Sequence, residues 1–302
     1  MDPLVEILPS VAAALEAGQP VVALESTVIA HGLPQPDNLT LALQLHDDVR
    51  ASGAEPALIA VMDGRLKVGL SDDDVERLAT ADTVRKLSTR DIPIAITTGE
   101  IGATTVASTM YAAALVGIPV FATGGIGGVH RGGGESFDES ADLPAIANFP
   151  VAVVTAGAKS ILDLPKTLER LETLGVPVIG YGTDTFPAFY LESSGLPVDH
   201  RFDEVADIAA MLRTKWQLGL TGGAVIANPI PAAAALDKAT HDAALDQALK
   251  DTKQRGISGK DTTPALLAAI REATGNASLE ANIALIRNNA TLAAKLAVAL
   301  AT

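Results

Sequence analysis

Short runs rich in β-branched residues alternate with longer helix-like segments along this chain. Residues 20–27, "PVVALEST", are typical of a buried strand, and residues 38–53, "NLTLALQLHDDVRASG", are typical of a helix that ends at Gly53. Such alternation is typical of parallel strands joined by helical crossovers, with helices on both faces of the sheet. We therefore predict a three-layer α/β/α fold with a mainly parallel central sheet and C-terminal helices, and a length of 302 residues fits either one large domain or two ordinary ones.

The same patterns locate further elements. Asp63 and Gly64 predict a hairpin between two strands within residues 56–70. Ser71 is the predicted cap of an acidic helix, and Pro264 the predicted first residue of a late helix. The other predicted strands cover residues 92–98, 118–125, 151–157, 176–182 and 222–231, and the other predicted helices cover residues 105–117 and 160–174, the latter broken near Pro165.

Charge and composition exclude several classes of function. The formal net charge of −14 repels phosphate backbones, so we expect no nucleic-acid polymer as a partner, although a small phosphorylated ligand needs only a local positive pocket. The chain has no cysteine, which excludes disulfides and thiolate metal sites. No signal peptide and no uninterrupted apolar run of membrane-spanning length is visible, so we expect a soluble, cytoplasmic protein with no membrane partner.

A lysine and a glutamate follow predicted strands. Lys159 follows the apolar stretch "VAVVTAGA", and Glu25 ends "VVALE". Ligands of parallel sheets bind beyond the carboxyl ends of the strands, so both residues belong to the expected binding edge. At a helix start, the helix dipole and burial lower the pKa of a lysine, and the neutral amine is then a nucleophile. Burial raises the pKa of a carboxyl group, which then serves as a general acid.

A glycine-rich segment, "ATGGIGGVHRGGGESFDESADL" (122–143), carries a second set of candidates. Its glycines let backbone amides approach an anion, and Asp138, Ser140 and Asp142 offer oxygen ligands for Mg²⁺ or Mn²⁺. A dinucleotide site is disfavoured, because the position three after Gly127 is His130. Small and hydroxyl residues in "GATTVAST" (102–109) suit a phosphate site at a helix N-terminus.

Each of these features also has a structural explanation. A lysine commonly extends to solvent or pairs with a carboxylate, and a glutamate at a strand end is commonly an ion-pair partner. N-capping explains the threonines of residues 102–109 equally well. From the residues alone, Lys86 and His130 are ambiguous in the same way.

Six segments in order resemble the pseudouridine-5′-phosphate glycosidase family. They are "VVALESTVIAHGLPQPDN", "ATTVASTMYAAALVGIPVFATGGIGGVHRG", "FDESADL", "VTAGAKSILDLPKTLE", "GGAVIANPIP" and "SLEANIALIRNNA". The resemblance extends from about Pro20 to the C-terminus. It implies an enzyme that reversibly cleaves the carbon–carbon glycosidic bond of pseudouridine 5′-phosphate to uracil and ribose 5-phosphate. It also implies a single domain over residues 1–302, Mn²⁺ as cofactor and a homotrimer.

The resemblance implies roles for particular residues as well. Glu25 in "ALEST" is the implied proton donor, Lys159 in "AGAKS" the nucleophile, and Asp138 in "FDESADL" the metal ligand. Glu100, in "TTGEIG", departs from the family's pattern by adding negative charge near the expected phosphate site. The implied substrate-binding residues are Lys86, Val106, Ser140, Ala141, Asp142 and Asn282.

The chemistry of this bond explains why a lysine is needed. Two carboxylates, the usual arrangement in O-glycosidases, do not relieve the carbanion character that develops on uracil. Ring opening with acid help from Glu25, followed by capture of C1′ on Lys159, leaves an imine that water hydrolyses after uracil has departed. Two alternatives stay open: a lysine-imine aldolase or lyase acting on another sugar phosphate, and a regulator that binds a phosphorylated metabolite without forming an imine. Release of uracil distinguishes them.

Overall fold

Parallel pairing dominates the central sheet, as the alternation of strands and helices predicts. A computed structural model describes residues 3–257 and 262–302 of the chain. The strands are β1 (Val5–Ile7), β2 (Val21–Leu24), β3 (Glu55–Met62), β4 (Arg65–Val68), β5 (Arg85–Leu87), β6 (Gly102–Thr104), β7 (Val120–Ala122), β8 (Ala152–Thr155), β9 (Val178–Tyr181), β10 (His200–Phe202) and β11 (Ala224–Ala227). The helices are α1 (Pro9–Glu16), α2 (Asp37–Ala51), α3 (Asp72–Thr80), α4 (Ile92–Thr98), α5 (Val106–Val116), α6 (Gly133–Ser136), α7 (Asp142–Asn148), α8 (Leu164–Thr173), α9 (Val205–Gln217), α10 (Lys238–Gln254), α11 (Thr262–Thr274) and α12 (Ala277–Ala301).

The strands lie in the order β1-β4-β3-β2-β7-β8-β11-β9-β10, with β6 also paired to β3 and β5 to β6. Among these described strands, only β4 and β6 run antiparallel to their neighbour β3. Helices cover both faces, so the predicted α/β/α class with a mainly parallel sheet is confirmed. The buried aliphatic strands β2, β7, β8 and β11 lie side by side in its centre.

The sheet divides where β2 ends. The first half of β3 pairs with β2, and Ala60 farther along pairs with Ala103 of β6. At the junction the Ile59 carbonyl accepts hydrogen bonds from the hydroxyls of Ser26 (2.6 Å) and Thr104 (2.7 Å). Because a buried carbonyl needs a partner, these hydroxyls replace the missing ladder bond. They let β2 end at Leu24, directly before Glu25.

Several local predictions are confirmed. Strands β3 and β4 form the expected antiparallel hairpin, and its turn residues Asp63 and Gly64 have φ of 54° and 70°. The Ser71 hydroxyl accepts a hydrogen bond from the Asp74 N–H (3.2 Å) and caps α3. The prediction for Pro264 is wrong by two positions, because α11 begins at Thr262 and Pro264 is its third residue. Residues 258–261, just before this helix, are outside the described part of the chain.

The predicted strand at residues 92–98 is wrong, because this segment forms helix α4. Its β-branched residues favour a strand, but the flanking residues favour a helix. Ser88 and Asp91 form a capping box just before it, and Pro93 occupies its first turn. Gly99, with a φ of 69°, ends the helix in the left-handed conformation.

The helix predicted from Ser160 begins later. Residues 156–163 form turns, and α8 starts at Leu164 with Asp163 as its N-cap, where the Asp163 side chain accepts a hydrogen bond from the Lys166 N–H (3.2 Å). Pro165 therefore lies in the first turn of α8 rather than at a break. Lys159 lies before the helix, so the helix-dipole argument does not apply to it.

Helix α12 is, among the described residues, the one helix long and apolar enough to cross a membrane by length and composition. Core helices of soluble proteins also meet these criteria of length and composition. Half of the apolar stretch of α12 is buried inside the protein. It packs against β2, β7 and β8 and against α2. We interpret α12 as a core helix, and the cytoplasmic location stays a prediction.

Candidate active site

Four neighbouring parallel strands end at one edge of the sheet. Strands β2, β7, β8 and β11 lie in that order, and the residues that follow them are Glu25, Thr123, Ala156 and Asn228. This is the edge at which ligands of open α/β sheets bind.

Glu25 is held by hydroxyl groups at this edge. It is buried, and its carboxylate accepts short hydrogen bonds from the hydroxyls of Thr27 and Thr123. The Thr123 carbonyl accepts a 2.8 Å hydrogen bond from the Asn289 amide, whose oxygen accepts one of 2.9 Å from Asn228. A chain of hydrogen bonds thus extends from β11 through α12 to the carboxylate. Both direct partners of Glu25 are neutral, so neither is the basic partner of an ion pair.

Lys159 lies in the turn that follows β8. Its backbone N–H donates to the Ile126 carbonyl (3.1 Å), and its own carbonyl accepts from the Leu162 N–H (3.0 Å). Its ammonium group donates a 2.6 Å hydrogen bond to the Gly125 carbonyl. The side chain is half-buried and points back towards the glycine-rich segment rather than into solvent. This disagrees with the interpretation of Lys159 as an exposed surface lysine.

Glu25 and Lys159 therefore contact the same short segment of the chain. Glu25 accepts a hydrogen bond from the Thr123 side-chain hydroxyl, and Lys159 donates one to the Gly125 carbonyl, two residues later. Two residues of chain span at most about 7 Å, so the two contacts lie close together on this segment. The structure brings the implied proton donor and the implied nucleophile together.

Gly157 makes the turn of Lys159 possible. Its φ of 82° lies in the left-handed region, and a Cβ at this position would collide with the Pro187 carbonyl. Next to it, the Ala156 carbonyl accepts a 2.8 Å hydrogen bond from the Phe189 N–H. Residues 186–189 thus pack directly against the turn and set its shape.

The glycine-rich segment folds back on itself. The His130 N–H donates to the Asp138 carbonyl (2.9 Å), and the Ser140 N–H donates to the Gly128 carbonyl (3.0 Å). A Cβ on Gly127 would overlap the Ser140 hydroxyl, so this close approach requires glycine. The segment is therefore an ordered part of the site rather than a flexible surface loop.

Asp142 fixes this segment to α5. One carboxylate oxygen accepts from the Ala107 N–H (3.0 Å) and the other from the Gly127 N–H (2.7 Å). The residue is buried, and its own N–H donates to the Ser140 hydroxyl (3.2 Å). Both oxygens of Asp142 are thus engaged with backbone amides, which makes Asp142 a poor candidate for a metal ligand.

Asp138 is the better candidate. It is half-buried, and no hydrogen bond to its carboxylate is found within residues 3–257 and 262–302. No group of three or more His, Asp or Glu residues that could hold a metal occurs within those ranges. A single carboxylate with water ligands fits a hard cation such as Mn²⁺ or Mg²⁺, because such ions accept oxygen ligands and retain water.

Burial and nearby charged side chains shift the pKa of His130. Burial lowers the pKa of His130 below 6.5, and the positive charges of Lys86 and Lys159 lower it further, whereas Asp138 opposes the shift. The four side chains therefore share one electrostatic environment. The lowered pKa favours the neutral form of His130 at pH 7, and the positive charges of both lysines act on it.

The remaining predicted residues lie in the same part of the molecule. Val106 is the buried first residue of α5, and Lys86 lies in β5. Asn282 of α12 lies next to Gly124, with its amide oxygen close to where a Cβ would be. Ala141 is the exposed N-cap of α7, next to Ser140. All the predicted site residues thus lie on or beside the glycine-rich segment or on β5 and the start of α5.

Several residues at the site were not predicted. Thr123 follows β7 directly, so the strand-end rule applied to every strand would have found it. Thr27 lies in the quoted segment "ALEST" two residues after Glu25. Asn228 and Asn289, by contrast, join the site through the fold, and no local pattern marks them.

This chain is similar to known proteins over nearly its whole length. The family model described as "Indigoidine synthase A like protein" matches residues 10–299. The chain belongs to this family.

Relatives named pseudouridine-5′-phosphate glycosidase confirm the resemblance to that family. One from Hahella chejuensis is 56% identical over 298 residues, covering 98% of each chain. One from Caldanaerobacter subterraneus subsp. tengcongensis is 52% identical over 300 residues, covering 99% of this chain and 98% of the relative.

Two solved structures have the same fold as this chain. The prealnumycin C-glycosynthase AlnA, in complex with ribulose 5-phosphate, has a TM-score of 0.92 and 40% identity, covering 100% of this chain and 98% of that chain. An indigoidine synthase A-like protein from Thermotoga maritima has a TM-score of 0.90 and 32% identity, covering 99% of this chain and 97% of that chain.

Proposed function

We propose that this protein is a pseudouridine-5′-phosphate glycosidase, which reversibly splits its substrate and water into uracil and ribose 5-phosphate. The observation that carries the proposal is that Glu25 and Lys159 contact the same short segment, through the Thr123 hydroxyl and the Gly125 carbonyl. The names of the relatives support the reaction, and the ribulose 5-phosphate bound to AlnA supports a pentose phosphate as ligand.

In the proposed mechanism, Glu25 donates a proton to the ribose ring oxygen as the bond between that oxygen and C1′ breaks. The neutral Lys159 amine forms a bond to C1′. The charged nitrogen then returns a proton to the Glu25 carboxylate. As the nitrogen lone pair forms the C=N bond, the bond between C1′ and C5 of uracil breaks, and C5 keeps the electron pair and takes the proton from Glu25. The resulting lysine imine reacts with water to give ribose 5-phosphate and the free amine.

The present hydrogen bonds suit the resting state of these groups. The Gly125 carbonyl accepts from the Lys159 ammonium at 2.6 Å. The neutral amine keeps two N–H groups, so it can retain this contact while its lone pair attacks. The hydroxyls of Thr27 and Thr123 keep the Glu25 carboxyl group in one orientation. A fixed acid and a tethered nucleophile reduce the entropy that is lost on reaching the transition state.

For the substrate phosphate, we propose the positive region around Lys86 and the start of α5. Lys86 contributes to the electrostatic environment of His130, beside Lys159. The first turn of α5, beginning at Val106, supplies the favourable end of a helix dipole. Glu100 pairs with Arg85 at 2.8 Å, and this ion pair offsets the negative charge expected to disturb the phosphate site.

For the metal, we propose that Asp138 holds one Mn²⁺ per subunit, with water as the other ligands. Its half-buried carboxylate is the candidate oxygen ligand identified above. Such an ion, when bound, supplies positive charge against substrate oxygens. His130 and Asp142 then act as residues of the protein framework rather than as ligands.

We also propose a homotrimer, with an apolar groove as the face shared by the copies. The groove encloses about 890 Å³, and Glu16 is the one acidic residue in its lining among the described residues. Copies that each carry a charge of −14 must meet where carboxylates are scarce. Apolar residues that line it include Leu4, Ile7, Leu15, Ile96, Tyr111 and Leu115.

Light scattering tests this assembly. Leu115→Lys changes a half-exposed leucine in the groove, and Leu218→Lys changes an exposed leucine on another face as a matched control. We expect wild type and Leu218→Lys to have three times the mass of the chain, and Leu115→Lys to dissociate. A Leu115→Lys protein that stays trimeric would rule out the groove.

The reaction is tested by incubating the protein with pseudouridine 5′-phosphate and Mn²⁺ and measuring free uracil. Borohydride added with ribose 5-phosphate should leave a reduced pentose phosphate on a peptide that contains Lys159. Lys159→Ala should release no uracil, whereas Lys166→Ala, which removes an exposed lysine paired with Asp163, should behave as wild type. Full activity of Lys159→Ala, or an adduct on another lysine, would overturn the assignment.

A further inference from the structure

The residue after the proposed nucleophile has a partner far away in the sequence. The Ser160 hydroxyl lies 2.8 Å from Nε2 of His241, which belongs to α10. Both side chains are buried, with 4% of Ser160 and 2% of His241 exposed. On its other side, Nδ1 of His241 lies 3.1 Å from the Asp242 carboxylate.

These contacts determine the direction of the hydrogen bonds. A carboxylate only accepts, so Nδ1 carries a proton and donates it to Asp242. In the neutral ring Nε2 is then the acceptor, and the Ser160 hydroxyl donates to it. A serine that donates to such a histidine–aspartate pair is also the arrangement that activates a serine nucleophile, but the Ser160 side chain is buried away from solvent. We therefore assign Ser160 as an anchor for its turn.

His241 joins helix α10 to the turn that follows β8. Helix α10 packs mainly on α11, and α11 packs on α12. At the start of α10, the His241 ring lies edge-on to the Tyr190 ring, with centroids 6.4 Å apart. Tyr190 directly follows Phe189, whose N–H binds the Ala156 carbonyl. The Lys159 turn is thus held from one side by residues 186–190 and through Ser160 by α10.

We propose that His241 is a positioning residue for the Lys159 amine and that it acts through Ser160. This inference rests on the proposed function, because it concerns the same nucleophile. The hydrogen bond fixes the side chain next to Lys159 and limits rotation of the turn that carries the amine. Removal of the acceptor leaves a buried hydroxyl without a partner, so the turn shifts to satisfy it. A displacement of about 1 Å at a reacting atom costs about a hundredfold in rate.

Two substitutions of His241 separate this role from a structural one. His241→Gln places an amide near the position of Nε2 and keeps an acceptor for Ser160. His241→Asn places its amide near Nδ1, keeps the contact with Asp242 and loses the one with Ser160. The measurement is the rate at which ribose 5-phosphate forms a borohydride-trapped adduct on Lys159, together with the ribose 5-phosphate concentration that gives half the maximal rate. The exposed His200, changed to Asn, is the control.

We expect His241→Asn to lower the maximal trapping rate by about tenfold or more, with the half-saturating concentration changed less than about twofold. His241→Gln should stay within about threefold of wild type. Ser160→Ala should match His241→Asn, and the double variant should lose little more, because both changes remove one interaction.

The outcomes distinguish the two proposals. If wild type forms no adduct on Lys159, the proposed function fails and this inference fails with it. If wild type forms the adduct and His241→Asn forms it as fast as His241→Gln, the proposed function stands and the positioning role is overturned. If His241→Asn does not fold, Ser160→Ala decides: an unchanged trapping rate in that variant contradicts the role of His241.

Discussion

The Ala107 N–H donates a 3.0 Å hydrogen bond to the Asp142 carboxylate, which joins the first turn of α5 to the start of α7. The second carboxylate oxygen binds the Gly127 N–H (2.7 Å). Asp142 therefore aligns three segments of the site. The Asp138 carboxylate, four residues earlier, accepts no hydrogen bond within residues 3–257 and 262–302. Two aspartates from one motif thus differ in their neighbours.

We expect Asp142→Asn to destabilise the protein by about 1–3 kcal/mol. An asparagine has one acceptor oxygen, so one of the two buried N–H groups loses its partner and faces an amide NH₂ group instead. Urea unfolding measures the change, with Asp82→Asn as an exposed control. An unfolding free energy equal to that of wild type would show that these two hydrogen bonds do not hold the segment.

Asp138→Asn should weaken metal binding and leave the stability of the protein nearly unchanged. Its carboxylate makes no hydrogen bond within the described residues, so we expect the unfolding free energy to change by less than about 0.5 kcal/mol. Mn²⁺ binding, followed by electron paramagnetic resonance of the free ion, should weaken strongly, because the substitution removes the negative oxygen ligand. If Asp138→Asn binds Mn²⁺ as tightly as wild type, the metal site lies elsewhere.

Glu25→Gln should bind ribose 5-phosphate but lose about a hundredfold or more in uracil release. Glutamine keeps the size of the side chain but cannot deliver a carboxylic proton to the ring oxygen. Steady-state uracil release measures the effect, and Glu76→Gln, an exposed residue of α3, is the control. Adduct formation from free ribose 5-phosphate should continue in part, because the free sugar opens its ring without the acid. Turnover within a few-fold of wild type would leave Glu25 with a structural role.

The ion pairs of Asp63, in the turn between β3 and β4, should make the free energy of unfolding depend on pH. The Arg77 guanidinium, and after it Lys67, hold the pKa of Asp63 well below its usual value. A carboxyl group with a lowered folded-state pKa stabilises the protein above its unfolded pKa of about 4, and this contribution is lost as the pH falls towards the folded-state value.

The test is Asp63→Asn, which keeps a residue tolerant of the positive φ in the turn. It should cost about 0.5–1 kcal/mol at pH 7, because the ion pairs are half-exposed. The difference from wild type should shrink steadily below about pH 4. Urea unfolding at several pH values measures it, and a difference that grows in acid would contradict the assignment.

Prediction from the sequence succeeded where a pattern is local. Asp63 and Gly64 specify a hairpin turn through their own backbone preferences, and Ser71 caps a helix whose first turn is adjacent to it. It failed at residues 92–98, where the β-branched residues favour a strand but Pro93 and the capping box of Ser88 and Asp91 favour a helix. It also placed the start of α8 too early, because turn residues 160–163 resemble the first turn of a helix.

The amino-acid pattern was therefore sufficient for the class of fold and for the edge of the sheet that carries Glu25 and Lys159, since hydrophobic alternation and strand ends are properties of neighbouring residues. The tertiary structure decided how these groups are held. The hydrogen bonds of Asp142 with Ala107, and of Ser160 with His241, join residues 35 and 81 positions apart. Such contacts depend on how helices pack over the sheet, and a local pattern contains no information about which distant donor will meet which acceptor.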